Sequence, residues 1–165
     1  MARVTLPPGD GLEVGQALAL APHFVDVVVG YEKAVAQTPL DPRLHELVRY
    51  RVAQINQCTV CLAFRRDDTG VPEGVLAQVA EWARSDEFSP AEKAALAFTE
   101  QFCGDSAGIP DSLVAELESL LAPGHVVELA LVVGKYLAMG RFMQVLGLDQ
   151  ACAIDPGRIA AAQSR

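Results

Sequence analysis

A chain of 165 residues with 51% apolar and 21% charged residues is long enough to bury one core and too apolar to stay disordered. Alanine, leucine and valine dominate while aromatics make up 6%, which favours packed helices over a β-sandwich. A net charge of −8 without a Lys/Arg cluster argues against a phosphate-binding surface and makes nucleic acid a poor partner.

Residues 1–11 read as an extended arm, because Pro7, Pro8 and Gly9 resist regular structure and no apolar run marks a secretion signal. A short helix is expected over 12–20. A second over 22–37 carries Phe24, Val28, Tyr31 and Val35 at spacings of three and four. After the break at 38–42, Asp41-Pro42 is a helix-start signature: an acceptor side chain followed by proline in the first turn. The third helix runs over 42–55, with Leu44, Leu47, Val48, Val52 and Ile55 on one side and Glu46, Tyr50, Ala53 and Gln57 opposite. Glu46 is therefore expected either on a solvated face or turned toward a neighbouring site. A fourth helix over 58–69 places Cys58, Cys61, Leu62, Arg65 and Thr69 on one face.

A fifth helix begins at Pro72 and includes Trp82. The run Ser89-Pro90-Ala91-Glu92 is a capping box that launches a sixth through Leu96, Phe98 and Phe102. A seventh starts at Asp111 or Ser112 with Leu113, Leu117, Leu120 and Leu121 inward. The eighth spans 125–146 and closes at Gly147. No β-type alternation competes with these patterns, so the expected fold is all-α, a single helical bundle over 12–148 between the arm and a loose or neighbour-packed tail at 149–165. The most apolar stretch, 126–143, holds Glu128, Lys135 and Arg141, and no apolar run nears the ~20 residues that span a bilayer. A cytoplasmic location is the default expectation. There, four cysteines are expected as catalytic, metal-binding or buried thiols rather than a disulfide framework.

The chemistry concentrates in Cys58-Thr59-Val60-Cys61. A cysteine at a helix start is exposed to unpaired N–H groups and the helix dipole, both of which stabilise a thiolate. A zinc site needs about four ligands, and no second Cys-x-x-Cys or His-x-x-x-His accompanies the pair. Two readings stay open at this level: small buried hydrophobes, or a pair for disulfide exchange or peroxide reduction. Cys103 reads as core or helix end, and nothing near Cys152 suggests a role. His23 and His125 read as surface or capping residues. His45 adjoins Glu46 but points ~100° away around the helix.

Glu46, eleven intervening residues and the Cys58–Cys61 pair resemble the carboxymuconolactone decarboxylase-like proteins, within them the alkylhydroperoxidase D-like branch. The likeness extends to Leu40-Asp41-Pro42-Arg43, to residues 88–97 and to Val127-Glu128-Leu129. It implies an all-helical fold assembled as trimers or hexamers. It further implies a thiol peroxidase in which Cys61 attacks peroxide, Cys58 resolves the sulfenic acid as a disulfide, and Glu46 is the base of a proton relay. A dithiol or partner protein would re-reduce the pair, and no cofactor is needed. The branch has a histidine where this chain has Arg65, and a second between the cysteines where this chain has Thr59 and Val60. A guanidinium stays protonated and cannot relay protons, so Arg65 is expected to hold a thiolate or pair with Glu46. The alternatives are a non-enzymatic helical oligomer acting as redox sensor or ligand binder, and a lactone-type decarboxylase or hydrolase relative using Glu46.

Overall fold

A computed structural model describes residues 1–65 and 69–149. Among these residues the structure is helical throughout, as expected: α1 (Glu13–Ala19), α2 (Pro22–Ala36), α3 (Pro42–Ile55), α4 (Thr59–Ala63), α5 (Glu73–Leu76), α6 (Pro90–Gly104), α7 (Asp111–Leu120) and α8 (His125–Leu146), with two short 3₁₀ turns. The expectations for residues 66–68 and 150–165 lie outside the described residues.

The local signals act as their chemistry requires. Asp41 accepts from the Arg43 and Leu44 amides at 2.9 and 3.1 Å, starting α3. Ser89 and Glu92 exchange both capping-box bonds, at 3.3 and 2.8 Å. The second carboxylate oxygen of Glu92 takes Arg43 Nε at 2.7 Å, which ties α6 to α3. Glu100 of α6 likewise receives Arg51 of α3 and the Trp82 indole.

The central element is α3. Leu44, Val48 and Val52 pack into the main core with Ala95, Phe98, Leu117, Leu129 and Val133. Leu47 joins a second cluster with Leu76, Val79, Phe88 and Leu96. A helix buried on so many sides has no solvated face to give its polar residues.

Some expectations fail on packing. The fourth helix stops at Ala63, with Phe64 extended at φ −69°, ψ 133°. The fifth shrinks to one turn before Trp82. On α2 only Val35 of the periodic stripe is buried, and on α7 Leu120 points outward. Asp149, at the head of the tail expected to be loose or packed on a neighbour, is buried: its carboxylate accepts from the Glu13 and Val14 amides at 2.9 and 3.0 Å. No single helix among the described residues is long and apolar enough to cross a membrane.

Both ends of the functional region use a left-handed residue. At the end of α3, Gln57 has φ 52°, the Cys58 amide bonds Ala53 O, and the Gln57 amide bonds Gln54 O. That is a Schellman turn with glutamine where glycine is usual. Gln57→Gly is therefore expected to raise stability by up to about 1 kcal/mol, read as a higher urea midpoint, because a left-handed L-residue costs roughly 1–2 kcal/mol. At the end of α8 the same bonds form around Gly147, where a Cβ would also meet Met1 O.

Candidate functional site

The Schellman turn delivers Cys58 to the N-cap of α4, where its sulfur accepts from the Cys61 amide at 3.3 Å. Cys58 and Cys61 are joined by a disulfide, with Cα atoms 5.2 Å apart. Cys58 is fully buried, whereas Cys61 is only partly buried and faces a cavity.

A five-residue helix cannot hold itself together; its fixed geometry must come from outside. Arg49 supplies it. Its guanidinium donates through Nη1 to Cys61 O at 2.6 Å and through Nη2 to Phe64 O at 3.1 Å, satisfying carbonyls at the end of α4. The same group is gripped side-on by Glu46, with Nε and Nη2 each 2.6 Å from a carboxylate oxygen. Glu46 is 1% exposed, which overturns the solvated-face expectation. Both Glu46 oxygens point at Arg49, so the guanidinium stands between this carboxylate and the Cys61 backbone. The sequence reading missed Arg49, although an i,i+3 Glu–Arg pair on a helix carrying little exposed surface was there to be found.

Arg65 does not reach the thiol pair or Glu46. Because α4 ends at Ala63, residue 65 leaves the helical register. Its guanidinium pairs with Glu73 at 2.7 Å and lies 4.8 Å from the Tyr50 ring centroid, while Nη1 donates to Leu62 O. The hydrogen bond with Glu73 pushes Arg65 up and holds Glu73 below the usual carboxylate range. That contribution to stability is present above the ordinary glutamate range and fades as pH falls through the depressed Glu73 value. Arg65 does not line the cavity beside Cys61. Arg65→His is therefore expected to leave thiol chemistry at the wild-type rate and to cost at most about 1 kcal/mol, the scale of an exposed ion pair. A rise in peroxide turnover would place the side chain in the reaction.

The cavity measures about 630 Å³. Its walls come from α1 and α2 on one side and from α3, α4 and α8 on the other, with Leu18, Val28, Phe64, Met139 and Met143 among its apolar groups. The polar groups on its walls are Arg49, Asn56, Tyr136, Lys33 and the pair Glu32–Lys135, whose Oε2–Nζ distance is 2.6 Å. Burial pushes the Lys135 ammonium down and Arg49 adds to this, against the opposing pull of Glu32. Asn56 donates to Tyr136 O at 3.2 Å, and its Oδ1 is buried without a partner. This close crossing needs Gly140, because a Cβ there would overlap the Asn56 amide. His45 is buried, its Nε2 3.0 Å from the Tyr136 hydroxyl. Cys103 lies in the core, its thiol pushed up to about 11 by burial. No cluster of metal-ligating side chains occurs among the described residues.

A helical frame that presents a Cys-x-x-Cys pair at a short helix start defines a class. The family model for the carboxymuconolactone decarboxylase family matches residues 22–101, which include Glu46 and both cysteines. The uncharacterised protein YdfG of Bacillus subtilis (strain 168) is 26% identical over 132 residues, covering 78% of this chain and 90% of the relative. Among solved structures, ATU0492 of Agrobacterium tumefaciens, a protein of unknown function proposed to be the antioxidant defence protein AhpD, superposes with a TM-score of 0.70. It shares 19% identity and covers 81% of this chain and 93% of its own. The debrominase Bmp8 bound to 2,3,4-tribromopyrrole gives a TM-score of 0.73 at 16% identity, covering 93% and 82%. Residues 22–101 match the carboxymuconolactone decarboxylase family, and the chain has the alkylhydroperoxidase D-like fold.

Proposed function

We propose that this chain is a thiol-dependent peroxide reductase or thiol–disulfide oxidoreductase, with Cys61 attacking and Cys58 resolving. The observation that carries this reading is the difference in access: the Cys61 sulfur-bearing residue borders the cavity, and Cys58 is sealed behind it. In the reduced protein the Cys61 thiolate attacks the distal oxygen of a hydroperoxide. The S–O bond forms as the O–O bond breaks, and the alkoxide leaves as alcohol after taking one proton. Cys58 then attacks the sulfenic acid sulfur, the S–S bond forms, and water leaves. A dithiol or protein reductant returns the pair to two thiols by exchange through a mixed disulfide.

The family resemblance assigned Glu46 as base. Its oxygens are both taken by Arg49, so we assign Glu46 a positioning role: it fixes Arg49, and Arg49 fixes the Cys61 and Phe64 carbonyls at the end of α4. Arg65 is left outside the reaction. The proposed setting is a cytoplasmic homo-oligomer, a trimer or hexamer. Support comes from Phe24 and Val27 on α2 and Val127 and Leu131 on α8, which stay exposed in the single chain.

The test is turnover. Reduced protein is mixed with cumene hydroperoxide and dithiothreitol, and peroxide loss is followed. Catalytic loss that stops when both cysteines are replaced by serine supports the reading. The rival, a ligand-binding or redox-sensing oligomer, is favoured by the apolar cavity and predicts that the disulfide forms without turnover by any reductant. A lactone decarboxylase or hydrolase would keep its activity without the thiols. Bmp8 shows that this fold also serves a debrominase, so brominated aromatic substrates belong in the same assay.

A further inference from the structure

The protein carries a net charge of −8, yet the cavity beside Cys61 is positive. Arg49, Lys33 and Lys135 stand on its walls, against Glu32 on the wall and Glu46 behind Arg49. The two innermost cations differ in how firmly they are matched. Four of the five N–H groups of Arg49 are engaged by Glu46, Cys61 O and Phe64 O, which leaves one N–H on Nη1. Lys135 is 6% exposed and rests its ammonium 4.0 Å from the Tyr136 ring centroid. Its carboxylate partner, Glu32, is 50% exposed and reaches in from α2. A buried ammonium whose counter-ion can swing into water is a place where another anion can bind. The remaining wall is aliphatic, thioether and aromatic, and the volume of about 630 Å³ falls within the range of small-molecule sites.

We propose that the cavity is a binding site for an apolar molecule carrying a single carboxylate, with Lys135 as the anchor of the carboxylate, Glu32 as its displaceable internal competitor, and the apolar body lying along α1 and α8 toward Cys61. This names the substrate class of the thiol site. The binding step itself needs no turnover, so it stands or falls separately from the redox reading.

Calorimetry on the oxidised full-length protein with octanoate, octanol and octylammonium tests it. Octanoate is expected to bind at least about tenfold more tightly than octanol, the scale of one hydrogen bond to a charged group, and octylammonium more weakly than either. Lys135→Met, which keeps the side chain's length and apolar stem, should erase the advantage of octanoate and leave octanol unchanged. Glu32→Gln should raise octanoate affinity, because the internal competitor is gone. Octanoate should keep its advantage over octanol in Cys61→Ser, whose loss of turnover would speak only to the redox reading. Equal binding of octanoate and octanol, an unaltered octanoate affinity in Lys135→Met, or a weakened one in Glu32→Gln overturns the proposal. So does the absence of binding by all three probes.

Discussion

Arg49→Leu is expected to destabilise the protein by about 3–5 kcal/mol, the cost of leaving one partner of a buried ion pair without the other. Glu46 is 1% exposed and its two oxygens have Arg49 as their partner, so the variant strands a carboxylate where water cannot reach it. The loss is measured by urea unfolding of the oxidised protein. Removing both charges, as Glu46→Leu with Arg49→Leu, should recover part of the loss because no charge is then stranded. Recovery stays incomplete, since Cys61 O then lacks a donor, at about 1–3 kcal/mol if it stays dry, whereas Phe64 O keeps the Nη1 of Arg65 at 3.1 Å. Arg49→Lys should fall between, because an ammonium keeps the charge but not the planar fork that serves four bonds at once. A double variant less stable than Arg49→Leu alone would mean that Glu46 finds another partner.

Cys61→Ser is expected to bring peroxide turnover down to the background of dithiothreitol alone. The hydroxyl is a far weaker nucleophile than a thiolate at neutral pH, and Cys58 has no opening to the cavity from which to replace it. Cys58→Ser should behave differently. Cys61 remains able to attack, so one equivalent of peroxide is consumed per chain and the product is a sulfenic acid that dimedone traps. The assay is best made on a Cys152→Ser background, which removes the remaining cysteine outside the described residues. Cys103 does not interfere, being buried with its thiol held protonated. Dimedone labelling of Cys58 in the Cys61→Ser protein, with none in the reverse variant, would exchange the two roles.

The frame of the molecule was readable from the chain because its stop and start signals are local. Asp41-Pro42, the capping box at Ser89 and the glycine at 147 act through bonds spanning six residues or fewer. The thiol pair was readable for the same reason. What the chain concealed depends on partners far along it. Glu46 stayed open between a solvated face and a neighbouring site because periodicity counts faces, not neighbours, and α3 is covered on nearly every face. Position 65 was assigned to a helix that ends two residues earlier, since side chains of Arg49 and Arg65 take the carbonyls that a continued helix would have used. The cavity was invisible because its walls come from residues as distant as Leu12 and Met143.

The bond between Asp149 and the start of α1 joins residues 136 positions apart. Such a closure pays its chain entropy last, after nearer contacts have shortened the effective loop. The main core, drawn from α2, α3, α6, α7 and α8, needs nothing from α1. The chain can therefore reach a nearly native core while the α1 wall of the cavity is still unattached. The fold's main core and the pocket's α1 wall rest on different contacts, and weakening the Glu13–Asp149 closure would open the cavity without dismantling that core.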